Sequence, residues 1–521
     1  MRNSSKYLLL IAILLAVYYV VFGIYLNRLG YFSQEALFYA EKSKIILDGL
    51  GNRLKVMGLT SPILPFYTSF IFSSVDVIPI LAPVIASAIC TAILFYIMAS
   101  TLIKRANDIF YIFILLIIFV LHPGILYAAT SGKSISMVLI FFFLFFFNLL
   151  KFYRSNTTFH VSIASICLVM LIFCDYKFVW LTLFFIPLVL SITIQSLNLS
   201  EQESIFRLFL SFNNPSLRRK LINKTFALYV ILFVLPLACV ICYKLLNLTH
   251  AQDLEYFNES PYATWTVLAD KLSFDQLSTS TVYQLPETSV LVSAKILLFC
   301  PLILVAIFLF RDSTYQILTL LTPFAFIEFL HIKYEKVFLA QQYYLIFIIL
   351  SLLCILYKAQ TIKNQFALKL IVGILAIIQL GTGYFFLQNS SIREERAFST
   401  VLFNRAADVR QDQNRQLANF LNRLPEDSHV LVDDAIAYPV VAFVDNKNIP
   451  RLTLPYQTAF LTAIETPDKY DDYILLATEK NEVTGFTELN DKYIPIIRKA
   501  NSALKLRRVF ETDDWILYKI F

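Results

Sequence analysis

Few residues in this chain are of a type that could do chemistry, and most of them stand beside apolar runs. Glu35 comes soon after the first apolar run. A carboxylate there can take the proton of an acceptor hydroxyl as a general base. The plainer role is a first-turn Glu interacting with a helix dipole. Four lysines form a second group: Lys55, Lys133 after Ala128-Ala129-Thr130-Ser131-Gly132, and Lys333 and Lys336 near Glu328, His331 and Glu335. Ammonium groups at a membrane interface suit a lipid-linked phosphate as point charges. Taken singly, each also suits headgroup anchoring by a snorkelling side chain. His122, before Pro123, reads as interfacial. Asp433-Asp434 reads as a turn at the end of a strand. Cys239 and Cys242 form a CxxC inside an apolar run with no second pair and no His beside it. They read as small core residues rather than a metal or redox site.

These groups have to be positioned by a very apolar chain. The sequence has 521 residues, 58% hydrophobic and 16% charged, with 48 Phe and 29 Tyr. A soluble domain carries about a quarter charged residues, so much of this surface must face lipid. A spanning helix needs about 20 apolar residues. Candidate spans lie near 7–26, 77–100, 109–127, 134–150, 160–175, 178–196, 226–246, 292–310, 315–331, 342–357 and 368–387. The first is too long, and is followed by residues too bulky, for a cleaved signal, so it reads as an anchor. The expected class is a polytopic α-helical membrane protein of about 11 spans with a C-terminal α/β soluble domain.

Lys and Arg in short loops mark the cytoplasmic side. With the N-terminus inside, Lys104/Arg105, Lys151/Arg154, Arg218-Arg219-Lys220 with Lys224, Arg311, and Lys358/Lys363 all fall inside. The outer face then receives loop 27–76, loop 247–291 and the tail. The expected division is a transmembrane part over 1–388 and an extracytoplasmic α/β domain over 389–521, an autonomous unit of about 130 residues. In the first outer loop, Ser33 can cap a helix from Gln34 to Leu47 that ends at Gly49 and Gly51. Such a helix could lie in the interface plane. After Pro62 and Pro65 the run 66–72 reads as re-entrant or interfacial. In the tail, 396–424 reads as one polar helix, 429–433 and 472–477 as strands, and 504–510 with 515–521 as a hairpin.

The net charge of +7 resides in the membrane part, and the tail is slightly acidic. The tail has no basic stripe with interleaved aromatics, which argues against nucleic acid. Only 11 Gly and no Gly-rich phosphate loop argue against a nucleotide-hydrolysing motor. The seven Cys all sit in or beside apolar runs, which argues against a disulfide framework.

Three segments carry a family resemblance. Gln34-Glu35-Ala36-Leu37-Phe38-Tyr39-Ala40 after one anchor helix looks like an Asp-Glu-Ala-x-Tyr segment. Ser61-Pro62-Ile63-Leu64 with Tyr67 looks like Pro-Pro-Leu-Tyr. His122-Pro123-Gly124-Ile125-Leu126-Tyr127 looks like Asn-Pro-x-x-x-Tyr before the fourth helix. With a fifth-to-sixth hairpin at Asp175-Tyr176-Lys177 and a late helix beginning Gln342-Tyr343-Tyr344, residues 1–390 resemble C-type (GT-C) integral-membrane glycosyltransferases. The resemblance is to the polyprenyl-phosphate-sugar-dependent class, which includes protein mannosyltransferases and aminoarabinose transferases.

The resemblance implies a transferase in a bacterial inner membrane, with its N-terminus cytoplasmic. It would move a hexosyl or pentosyl group from a polyprenyl-phosphate-linked donor to a lipid, glycan or protein acceptor on the outer face. Glu35 is then the catalytic candidate. Lys55, Lys133, Lys333 and Lys336 are the donor-phosphate candidates, and Tyr39, His122, Tyr127, His331 and Gln342 line the cavity. No cofactor is assigned, and a divalent cation stays open. Gln34 stands where the family usually carries its catalytic Asp, and Gln neither takes a proton nor binds a cation strongly. The alternative is therefore a catalytically silent relative that binds lipid-linked sugar or scaffolds a partner. A lipid or glycan transporter is a further alternative; it predicts paired charges or broken helices near the bilayer midplane, of which the central spans are expected to be nearly free. The enzyme reading requires Glu35 to face a cavity open to the outer leaflet.

Overall fold

The computed structural model describes residues 2–73, 80–105, 108–155, 157–196, 215–263, 285–311, 314–333, 340–359, 364–390, 392–481, 487–498 and 504–521. In chain order the helices begin with α1 (Arg2–Arg28), α2 (Gln34–Asp48), α3 (Ile63–Ser73), α4 (Ala82–Arg105), α5 (Ile109–Leu121) and α6 (Pro123–Thr130). They continue with α7 (Ile135–Ser155), α8 (Thr158–Cys174), α9 (Leu181–Ser196), α10 (Pro215–Ala251), α11 (Leu285–Phe299) and α12 (Leu302–Phe310). The last before the tail are α13 (Thr314–Lys333), α14 (Gln341–Lys358) and α15 (Gln365–Gln388).

Nine of the eleven expected spans each overlap one of these helices, and the other two each overlap a pair. Seven of them are long and apolar enough to cross a membrane, and up to nine do so if each bent pair counts as one span. The other two expected spans are α8 and α9, apolar but only 17 and 16 residues long. Two expected straight spans are in fact broken. α5 and α6 meet at 63°, and α11 and α12 at 99°. The cause in each case is a proline, Pro123 or Pro301, which lacks an N–H and forces the preceding residue out of the helix. His122 accordingly has extended backbone, and its ring Nδ1 accepts from the Gly124 amide as the cap of α6.

Burial separates the bundle into interior and lipid-facing helices. The apolar window of α14 is 83% buried and that of α10 only 22%. The centre is rich in Phe: Phe142, Phe143, Phe145 and Phe146 of α7 are fully enclosed. Cys239 and Cys242 lie on the outward-facing α10, half-exposed and exposed, so they are lipid-facing rather than core residues. At one end of the bundle Arg105 lies over Phe147 and Tyr357, Lys151 over Phe147, and Lys358 over Phe310.

The tail folds as α/β. Its helices are α16 (Arg393–Asn404), α17 (Asp412–Asn422), α18 (Asp434–Phe443) and α19 (Glu488–Arg498), and its strands β1 (Val430–Leu431), β2 (Leu452–Thr453), β3 (Tyr473–Ala477), β4 (Leu506–Glu511) and β5 (Trp515–Ile520). The expected single helix over 396–424 is two, because Arg405 takes a left-handed φ of 52° and ends α16. The sheet order is β2-β1-β3-β5-β4. β1 runs parallel to β2 and β3, with Val430 opposite Leu452 and Tyr473. β5 runs antiparallel to β3 and β4.

All five residues of β3 are buried because both faces of the sheet are covered. Alternate residues point to opposite faces. Ile474 and Leu476 pack with Leu489 and Tyr493 of α19. Leu475 and Ala477 belong to a core that also contains Leu37, Phe38, Tyr39 and Ala40 of α2. Helix α2 therefore shares the hydrophobic core of the tail.

Candidate functional site

The N-terminus of α2 is built as its sequence dictates. Ser33 has extended backbone and its hydroxyl accepts from the Ala36 amide, satisfying one of the helix's free N–H groups. The same hydroxyl donates to the Ser131 carbonyl at 2.6 Å, tying α2 to the turn between α6 and α7. Gly132 in that turn has φ +72°, and a Cβ there would press on Ala36 and Pro83. The glycine thus allows the backbone to approach α2 closely.

This approach brings Lys133 and Ser134 to the first turn of α2. Glu35 Oε1 accepts from the Tyr39 hydroxyl at 2.5 Å and from the Ser134 amide at 3.0 Å. Burial pushes the Glu35 carboxyl above the usual range, and nearby Lys133, Tyr39 and Ser134 offset this only in part. The Tyr39 hydroxyl is pushed well up, by burial first and then by Glu35, and it also feels Asp175. Asp175, at the tip between α8 and α9, accepts from the Tyr343 hydroxyl at 2.7 Å and from Gln342 Nε2 at 3.2 Å.

A third segment arrives from the tail. Glu394, on the first turn of α16, accepts from Lys133 Nζ at 2.8 Å, the Tyr127 hydroxyl at 2.8 Å and the Gln34 amide at 3.0 Å. Lys133 also donates to the Tyr127 hydroxyl at 3.0 Å. Burial alone would raise the Glu394 carboxyl, but Lys133 and the Gln34 amide prevail and hold it below its usual value. Burial works against the Lys133 ammonium too, and Glu394 and Glu35 outweigh it and raise its pKa. The next residue, Glu395, accepts from the Gln341 amide at 2.8 Å and the Ser390 hydroxyl at 2.6 Å. Burial pushes its carboxyl up to about 7.

The roof over this cluster is α18. The Tyr438 hydroxyl donates to Gln34 Oε1 at 2.9 Å, and the Tyr438 ring packs edge-on against Phe38. Further along α2, Lys42 Nζ reaches Asp434 at 2.5 Å and Glu41 at 3.0 Å and lies over the rings of Phe38 and Tyr456. The Lys42, Glu41 and Asp434 side chains have no exposed surface. Lys44 Nζ donates to the carbonyls of Ala442 and Val444 at the C-terminal end of α18, where a cation is favoured. Asp433-Asp434 is therefore more than a turn. Asp433 caps α18 and Asp434 anchors a buried ion pair, because the strand end lies directly against α2.

The structure thus gathers Gln34, Glu35, Tyr39, Tyr127 and Lys133 in one cluster. Gln342 reaches it only through Asp175. The other candidates lie elsewhere. Lys55 sits over the Tyr256 ring and Lys333 over the Trp180 ring. His331 is buried on α13, and His122 occupies the break between α5 and α6. Lys336 lies outside the described residues. Glu394, Glu395 and Asp434 are members the sequence reading did not find. The run Arg393-Glu394-Glu395-Arg396, directly after the last span, was the available signal for the first two.

The expectation that Glu35 faces an open cavity is not met in this conformation, since only 1% of its surface is exposed. α16 and α18 close over the start of α2. The void beside it, lined by Tyr39, Gly132 and Lys133, is about 10 Å³, room for about one water. Among the described residues no three His, Cys, Asp or Glu side chains are placed to hold a metal ion.

This architecture, an apolar bundle with a loop helix under a C-terminal α/β layer, is the fold of the C-type integral-membrane glycosyltransferases. The chain is similar to the crystal structure of ArnT, an aminoarabinose transferase, from Cupriavidus metallidurans bound to undecaprenyl phosphate. That match covers 98% of this chain and 97% of that one, at TM-score 0.54 and 10% identity. The apo state of ArnT matches over 99% and 98% at TM-score 0.52 and 10% identity. The archaeal oligosaccharyltransferase AglB from Archaeoglobus fulgidus, in complex with an inhibitory peptide and a dolichol-phosphate, matches over 91% and 69% at TM-score 0.44 and 11% identity. No family model matches the sequence, and no curated protein matches it.

Proposed function

We propose that this protein transfers a sugar from a polyprenyl-phosphate donor to an acceptor hydroxyl at the outer face of a bacterial inner membrane, with residues 1–388 as the membrane part and 389–521 outside. The observation that carries this is Glu35, a buried carboxyl with a raised pKa, set beside Lys133 where the loop helix meets the bundle. The fold supports it, since ArnT shares it over nearly its whole length and was crystallised with undecaprenyl phosphate. The gathering of Arg105, Lys151 and Lys358 at one end of the bundle supports the orientation.

In the reaction, the acceptor oxygen attacks the anomeric carbon as the bond from that carbon to the phosphate oxygen breaks. The Glu35 carboxylate, held by the Tyr39 hydroxyl and by Ser134, would take the acceptor proton. A raised pKa makes it a better base than an exposed carboxylate. The lipid phosphate would leave against the Lys133 ammonium, which stabilises the developing charge. Access requires α16 and α18 to move off α2.

A second reading is favoured by one observation. Gln34 is neutral, its amide oxygen is engaged by Tyr438, and Glu35 beside it is sealed. A silent relative that binds lipid-linked sugar would show the same features. The test compares envelope glycans by mass spectrometry in cells making wild type, E35Q or no protein. Loss of one sugar in both E35Q and the null, at normal E35Q levels, supports transfer. A glycan altered in the null and intact in E35Q would falsify the Glu35 mechanism and favour the silent reading.

A further inference from the structure

Three donors from three separate segments converge on the Glu394 carboxylate. The Lys133 ammonium comes from the turn after α6, the Tyr127 hydroxyl from α6 itself, and the Gln34 amide from the first turn of α2. A cation, a hydroxyl donor and a free helix N-terminal amide aimed at one point form an anion site. All three lie where α2 meets the turn after α6, and Lys133 and Tyr127 are 9% and 0% exposed. The anion that fills the site is supplied by the chain itself, from α16. α16 starts a few residues after the last span, and Glu394 is in its first turn.

We propose that the Lys133–Tyr127–Gln34 site is a phosphate site held closed by Glu394 as an internal stand-in, and that the phosphate of the lipid donor takes its place. This rests on the proposed transfer reaction and adds to it how the donor is admitted. A phosphate brings more oxygens than a carboxylate and at least equal charge, so the same three donors can serve it. Displaced, Glu394 carries α16 away from α2. The neighbouring contacts of Glu395 with Gln341 and Ser390 loosen with it. Donor binding and unsealing of Glu35 are then one event, which accounts for a candidate base that is closed off in the free protein. A ligand that must displace an internal competitor binds more weakly by the fraction of time the site is open.

The test uses the full-length protein in nanodiscs, with farnesyl phosphate as probe and farnesol and inorganic phosphate as controls. Removing the competitor as E394Q should tighten farnesyl phosphate binding about tenfold. K133M should lose binding, alone and combined with E394Q. Farnesol should respond to neither variant. Inorganic phosphate that shows the same gain and loss supports the site and makes free phosphate a ligand as well. In the wild type, farnesyl phosphate should raise hydrogen exchange across 393–404, a readout that needs no variant to fold. If E394Q binds no tighter while K133M binds more weakly, and exchange in 393–404 does not rise, phosphate reaches Lys133 past Glu394. The stand-in is then wrong and the transfer reaction survives. If neither wild type nor E394Q binds farnesyl phosphate, both ideas fall.

Discussion

Helix α2 carries two buried charge clusters within three turns, and they are built differently. Around Lys42 one ammonium lies between two carboxylates, Glu41 and Asp434, all three without exposed surface and flanked by the rings of Phe38 and Tyr456. Around Lys133 the donors come from the membrane part and the acceptor, Glu394, from the tail. The first cluster is a fastening. Two carboxylates and two rings enclose its cation, so no ligand can exchange in. The second is arranged like a binding site that happens to be filled. Desolvation is heavy in both, and what differs is whether one partner can leave without stranding the others.

The largest effect should come from breaking the fastening. K42M leaves Glu41 and Asp434 buried without their cation and should cost about 3–5 kcal/mol, read as a lower thermal midpoint in detergent; D434N, which keeps the Lys42–Glu41 pair, should cost less than K42M. E394Q should cost less than either. Equal losses would erase the distinction between the clusters.

Next is E35Q, expected to reduce transfer about 10²–10⁴-fold with little change in thermal midpoint. A large drop in stability instead would make Glu35 part of the fastening.

Third is the pH dependence of stability. The Glu395 carboxyl is raised from 4.5 to about 7 in the folded protein. Between those values the folded state keeps a proton the unfolded chain has released. Stability from this group is therefore greatest at low pH, falls by about 3 kcal/mol as pH rises to about 7, and levels off above. Chemical unfolding at stepped pH should show this slope in wild type and a shallower one in E395Q, where Glu35, Asp433 and Asp471 keep raised carboxyls.

The smallest effect is expected from Y39F. It removes one hydrogen bond of about 1 kcal/mol to Glu35. Because that bond holds the carboxyl pKa down, the pH–rate profile should shift to higher pH. A lower rate with an unmoved profile would make Tyr39 a packing residue only.

What could be read from the sequence was local. Hydropathy located the apolar helices, Ser33 and Gly49 marked the ends of α2, and short apolar runs marked β3 and the β4–β5 hairpin. The proline breaks were missed because hydropathy averages across them. Glu35 and Lys133 were found, since each stands beside a capping or turn signal, and Tyr39 through the family resemblance. Lys55 and Lys333 carried the same signal, and the structure gives them aromatic partners away from the cluster. Glu394 was overlooked, and Asp434 read only as a turn residue, in a tail full of acidic residues. Nothing near them in the chain shows that their partners lie 261 and 392 residues away.

The sequence by itself determined a chain that must span lipid many times, a helix beginning at Gln34, and an α/β tail. These follow from solvent preference and local backbone chemistry, which act over a few residues at a time. Only the tertiary structure decided which charges meet. It placed α16 and α18 on α2, joined α2 to the core of the tail, and chose Glu394 as the counter-ion of Lys133. A buried charge is tolerated only where another is brought to it, and that pairing is fixed by packing rather than by order along the chain.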